Sequence, residues 1–87
     1  MSKNYNAPCW DLVYTKGRDF GYQFLSEIIS EGNDISLYML EEAIYQHLIE
    51  IPNLSYYTIM CEKVSKQAAK RVFDNFKPNV LLTFPFY

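Results

Sequence analysis

Few residues in this chain could do chemistry. His47 is the single histidine, and Glu50 follows three positions later, within touching distance on a helix. A His–carboxylate pair can begin a catalytic triad or a metal site. No second histidine is present, and no serine or cysteine is placed by spacing to act as a nucleophile beside it. His47 therefore reads as a structural or surface residue. Cys61 falls near an apolar stripe, whereas a reactive thiol needs an exposed, electropositive setting; its neighbours Glu62 and Lys63 roughly cancel. The three glycines are scattered, so no loop cradles a phosphate. These residues point to a non-enzyme with no cofactor and no metal.

Binding is the chemistry left, and the charges suggest where. Lys63, Lys66, Lys70, Arg71 and Lys77 stand against Glu62 and Asp74 alone within residues 62–77. The remainder carries Lys3, Lys16 and Arg18 against eight carboxylates, and the formal net charge is −2. Such a molecule has a basic end able to attract an anionic partner. The plainer reading is that the two ends pair with each other or are solvated.

The length fits a single domain over residues 1–87, with a modest core. Aromatic residues make up 17% of it, more surface than one small core readily hides, and tyrosine tolerates a half-wet interface position. No apolar run reaches the roughly 18 residues of a membrane span, and the first residues lack the apolar region of a secretion signal. Cys9 and Cys61 form no CxxC, so reduced thiols and a cytoplasmic location are expected, with a single bridge as the alternative.

The elements that would position these side chains are mostly helical. Residues 1–9 read as a loose arm. Trp10 to Thr15 reads as a short strand or an extended lead-in, with Lys16-Gly17 as a turn. A first helix is expected from Arg18 or Asp19 to Ser30, with Phe20, Phe24, Leu25, Ile28 and Ile29 at helical spacing and Gly32 closing it in the left-handed conformation. A second helix starts with Asp34 or Ser36 as N-cap and runs to about Glu50, where Pro52 ends it. Ser55 caps the third helical region. Tyr57, Met60, Val64, Ala68, Val72 and Phe76 form its stripe, and Glu62, Lys63, Lys66, Gln67, Lys70, Arg71 and Asp74 face away. Pro78 stops it, leaving an apolar tail over 79–87. The expected fold class is all-α, with three or four helices. A minor two-stranded pairing of the N- and C-terminal segments is one option for the tail; covering the helices or docking on another chain are the others.

Val64-Ser65-Lys66-Gln67-Ala68-Ala69-Lys70-Arg71-Val72-Phe73 resembles the turn and recognition helix of a helix-turn-helix DNA-binding module. Val64, Ser65, Ala69 and Val72 match the apolar, Ser/Thr and small positions of that pattern. The resemblance implies that Ser65 caps a recognition helix and that Lys66, Gln67, Lys70 and Arg71, with Lys63 beside them, face double-stranded DNA. Such side chains read base edges and neutralise phosphate. Gly21-Tyr22-Gln23-Phe24-Leu25-Ser26-Glu27-Ile28-Ile29 resembles the opening helix of the DNA-binding effector domain of sporulation-initiation response regulators, with patchy similarity through Ile44 to Leu48 and Lys63 to Val72.

Two functions follow. One is a small regulator binding DNA through a basic helix-turn-helix-like C-terminal helix. The other is a protein-binding regulator or inhibitor of phage or mobile-element type, using its acidic face and its aromatic residues and apolar tail. A turn between Cys61 and Ser65 favours DNA; an unbroken helix over Ser55 to Phe76 with exposed aromatics favours a protein partner. Under either, Val80 to Tyr87 is the natural homodimer interface.

Overall fold

The computed structural model describes residues 8–83, and the side chains of residues 8–76. Three helices account for nearly all of it: α1 (Trp10–Ser30), α2 (Leu37–Ile49) and α3 (Thr58–Thr83). Each packs against both others. The fold is all-α, and no strand occurs among the described residues.

Helix α1 begins eight or nine residues earlier than its expected start. Trp10 to Thr15 is neither a strand nor a lead-in but the first turns of the helix, with Cys9 at the N-cap and Asp11 in the dipole-favoured first turn. The reason lies in Gly17, which does not form a turn. Val13, Gly17, Gly21 and Leu25 are the buried positions of α1, one every four residues. Glycine costs a helix about 1 kcal/mol relative to alanine, but here its missing Cβ admits a neighbouring side chain. A Cβ on Gly17 would lie 3.1 Å from Ile44 Cγ2, and one on Gly21 would lie 3.0 Å from Ile44 Cδ1 and 3.1 Å from Val72 Cγ2.

The end of α1 follows the sequence reading. Gly32 has φ +81°, its N–H donates to the Ile29 carbonyl, and the Asn33 N–H donates to Ile28. Those two bonds form a Schellman motif and satisfy carbonyls that the helix end leaves open. Of the two candidate caps for α2, Ser36 does the work: its hydroxyl accepts from the Met39 N–H at 3.2 Å. Asp34 instead accepts from the Ile35 N–H. The helix stops at Ile49, ahead of Pro52.

Helix α3 starts at Thr58, three residues after Ser55. The connection turns through Leu48–Ile51, Ile51–Leu54 and Leu54–Tyr57 backbone bonds, and the Cys61 N–H closes the first helical bond on the Tyr57 carbonyl. Buried Leu54 pins this turn, so Ser55 falls inside it and caps nothing. Nor does Pro78 stop α3, which continues to Thr83 although proline has no N–H to donate to Asp74. Residues 79–83 are thus helical, and no two-stranded pairing with Trp10–Thr15 forms among the described residues. Residues 84–87, and residues 1–7 of the arm expected over 1–9, lie outside them.

The core is a continuous cluster. Leu40, Ile44 and Leu48 of α2 are fully buried against Val13 and Leu25 of α1 and Cys61, Val64, Ala68, Ala69 and Val72 of α3. Each fully buried Leu or Ile contributes about 1.5–3 kcal/mol. Val64, Ala68 and Val72 belong to the predicted stripe; Cys61, Ser65 and Ala69 join it. The small residues on α3, like the glycines on α1, let the helices approach closely.

Candidate interaction surface

Burial of the stripe on α3 fixes what its opposite side presents. Lys63, Lys66, Gln67, Lys70 and Arg71 are all exposed. At 100° per residue Lys63, Lys66 and Lys70 fall within one narrow arc, opposite the core, with Gln67 and Arg71 on its flank. Glu62 and Asp74 share this surface, and Lys70 Nζ lies 3.4 Å from Asp74 Oδ2. Both partners of that pair are largely exposed, and it contributes roughly 0.5 kcal/mol or less. Lys77 belongs to the side chains outside the description.

Ser65 departs from the sequence reading. It is 2% exposed and lies within α3, which runs without interruption from Thr58 through Cys61 to Ser65, the span where a helix-turn-helix would place its turn. Its hydroxyl donates backward to the Glu62 carbonyl at 2.8 Å instead of accepting from the N–H groups ahead of it. It caps no helix. Glu62 and Lys63 are good helix formers, and nothing between them and Ser65 breaks the chain.

Beside the basic arc, α2 and α3 leave an open groove of about 370 Å³. Tyr38, Glu41, Glu42 and Tyr45 line it from α2, and Glu62, Ser65 and Lys66 from α3. On α2 these positions follow the i, i+3, i+4, i+7 pattern of a single helix face. Tyr38 is 68% exposed. The sequence signal for this face was the Tyr38-x-x-Glu41-Glu42-x-x-Tyr45 spacing, but only the packing of the helices sets it against Glu62 and Lys66. Tyr56, Ile59, Met39 and Leu12 are the other large apolar side chains left exposed among the described residues.

The residues considered for catalysis are placed otherwise. His47 does not bond Glu50; its ring stacks on Phe20, with centroids 4.1 Å apart and 6° between the planes. Among the described residues no three His, Cys, Asp or Glu side chains converge as a metal site. Cys61 is buried, its Sγ–H directed at the Leu54 carbonyl at 3.7 Å. Burial pushes its pKa up, favouring the inert thiol over the thiolate. Cys9 is exposed, and neither cysteine is in a disulfide. No helix among the described residues is long and apolar enough to cross a membrane.

No family model, no curated protein and no solved structure matches this chain.

Proposed function

We propose that this chain is a small non-enzymatic regulatory protein that works by binding another protein through its α2–α3 face. The observation that carries this reading is the unbroken course of α3 beside a groove walled by the partly exposed tyrosines of α2. Tyrosine supplies contact area at little entropic cost and is frequent among residues that anchor interfaces. Carboxylates and a lysine around the same groove supply orientation and partner choice.

A second reading, binding of double-stranded DNA, is favoured by the clustering of Lys63, Lys66, Lys70 and Arg71 on one exposed face of α3. It lacks the turn that would present a separate recognition helix, and Glu62 and Asp74 dilute its charge.

One pair of measurements separates the two. A photo-crosslinking residue replacing Tyr38, in the cells that encode the chain, yields a discrete protein adduct, while one replacing Ser26 on exposed α1 surface does not. The purified protein shows no retention of random-sequence duplex DNA at low salt. Tight DNA binding that weakens steeply with salt, is lost in Lys66→Ala/Lys70→Ala/Arg71→Ala, and comes with no adduct at position 38 overturns the protein-binding reading in favour of DNA.

A further inference from the structure

We infer that the α2–α3 groove receives an arginine side chain of the partner protein; this rests on the protein-binding reading above and names the chemistry of what is bound. Three features converge on that choice. The first is charge. Glu41, Glu42 and Glu62 line the groove, and none of them makes an ion pair among the described residues. Lys66 is the one cation on the lining, so the hollow is negative although it adjoins the basic arc of α3.

The second is aromatic surface. Tyr38 and Tyr45 stand two helical turns apart on α2, with Glu41 and Glu42 between them. A cation near the face of a tyrosine ring is attracted by the ring's quadrupole, and guanidinium, being planar and weakly hydrated, stacks on such rings more readily than ammonium. The third is shape. The groove opens to solvent and is about 370 Å³ in volume, room for a long side chain whose backbone stays outside. Guanidinium also engages carboxylates through two parallel N–H···O bonds, which an ammonium cannot do. Asp19 lines a second hollow beside Phe20 and His47, but there it is the one carboxylate, faces Lys16 on the same lining and is paired with Arg18. Glu27, Glu31 and Asp34, at and before the α1–α2 turn, are exposed and line neither of these two hollows.

The test uses the full chain and a fluorescein-labelled tetra-arginine peptide, read by fluorescence anisotropy, with tetra-lysine as comparison. Tetra-arginine is expected to bind at least threefold tighter than tetra-lysine. Glu41→Gln/Glu42→Gln/Glu62→Gln weakens tetra-arginine at least tenfold. Glu27→Gln/Glu31→Gln/Asp34→Asn removes the same formal charge and leaves affinity within about twofold. Tyr38→Ala/Tyr45→Ala, which changes no charge, weakens it severalfold. Circular dichroism and thermal melting confirm that each variant folds, and Glu42→Gln/Glu62→Gln, both at exposed positions, serves if the triple variant does not.

No peptide binding overturns the proposal, as do equal losses in the two charge-removal variants, which would mark a diffuse field. A salt-sensitive dimer of the wild type that the groove variant dissolves would make the occupant a second copy of this chain and also overturn it. If the crosslinked adduct at position 38 persists in the groove variant, the arginine assignment fails while the protein-binding reading stands. If no adduct forms in any background, that reading itself fails.

Discussion

The imidazole of His47 lies flat on the ring of Phe20, the centroids 4.1 Å apart and the planes within 6°. Phe20 also stacks on Phe24, at 5.6 Å, so the histidine ends a short column of rings that joins α2 to α1. The one histidine of the chain is thus held by a planar aromatic contact and not by its carboxylate neighbour in sequence. Both ring positions are partly buried, and Phe20 packs against the core.

If the flat ring is what matters, His47→Phe keeps the stability of the wild type and His47→Ala loses about 1 kcal/mol. Urea denaturation monitored by circular dichroism measures both. Equal losses would mean that the ring nitrogens, and not the stacking, hold His47 in place.

Gly21→Ala inverts the usual rule for helix interiors. In an open helix this change is favourable by up to about 1 kcal/mol. Here the new Cβ would meet Ile44 Cδ1 at 3.0 Å and Val72 Cγ2 at 3.1 Å. We expect a loss of about 1–3 kcal/mol. Ile44→Val removes Cδ1, so the double variant Gly21→Ala/Ile44→Val should be more stable than the two single losses predict when added. Strict additivity in a double-mutant cycle would show that the contact carries no strain.

Gly32→Ala should destabilise for a different reason. Nothing lies within 4 Å of a Cβ there, but φ is +81°, in the left-handed region that costs a side-chain-bearing residue about 1 kcal/mol or more. Gly32→Asn should cost less than Gly32→Ala, because asparagine visits that region more readily. Thermal melts of the two variants test the ordering.

The two thiols should differ sharply toward a thiol-reactive dye. Exposed Cys9 reacts at once, while Cys61 reacts only when the fold opens. Because burial raises the pKa of Cys61, its contribution to folding is full below the unfolded thiol value. It is lost as pH climbs from there through the folded value, since the unfolded chain gives up its proton first. The stability margin of the wild type over Cys61→Ala therefore shrinks as pH rises past the unfolded thiol value of about 8.5. A margin that does not move with pH would contradict this.

Homodimerisation through Val80 to Tyr87 is tested by truncation after Pro78. The backbone of residues 80–83 continues α3, and residues 84–87 lie outside the described part of the chain. If this segment makes a dimer, sedimentation shows the truncated chain as a monomer and the full chain as a dimer. The same state for both excludes the segment as the interface.

How much was legible can be argued from particular residues. The apolar spacing from Leu40 through Ile44 to Leu48 and the caps at Gly32 and Ser36 were readable because they are local: each depends on residues within one helical turn of one another. The outward direction of Lys63, Lys66, Gln67, Lys70 and Arg71 was readable for the same reason. The start of α1 was not. Gly17 reads as a turn until it is known that Ile44, far along the chain, fills the space above it.

The sequence by itself determined that this protein is all-α, where α2 runs to within a residue or two, and which side of α3 is charged, since helical periodicity and chain breakers act over short range. Only the tertiary structure decided that α3 passes straight through Ser65, because burial of that small hydroxyl against the core is a property of the packed helices. It also decided that Tyr38, Glu41 and Tyr45 share a groove with Glu62. Residues on two helices meet only once the helices pack, and α1 closes on both partners at Gly17, beside Ile44 and Val64, and at Gly21, beside Ile44 and Val72.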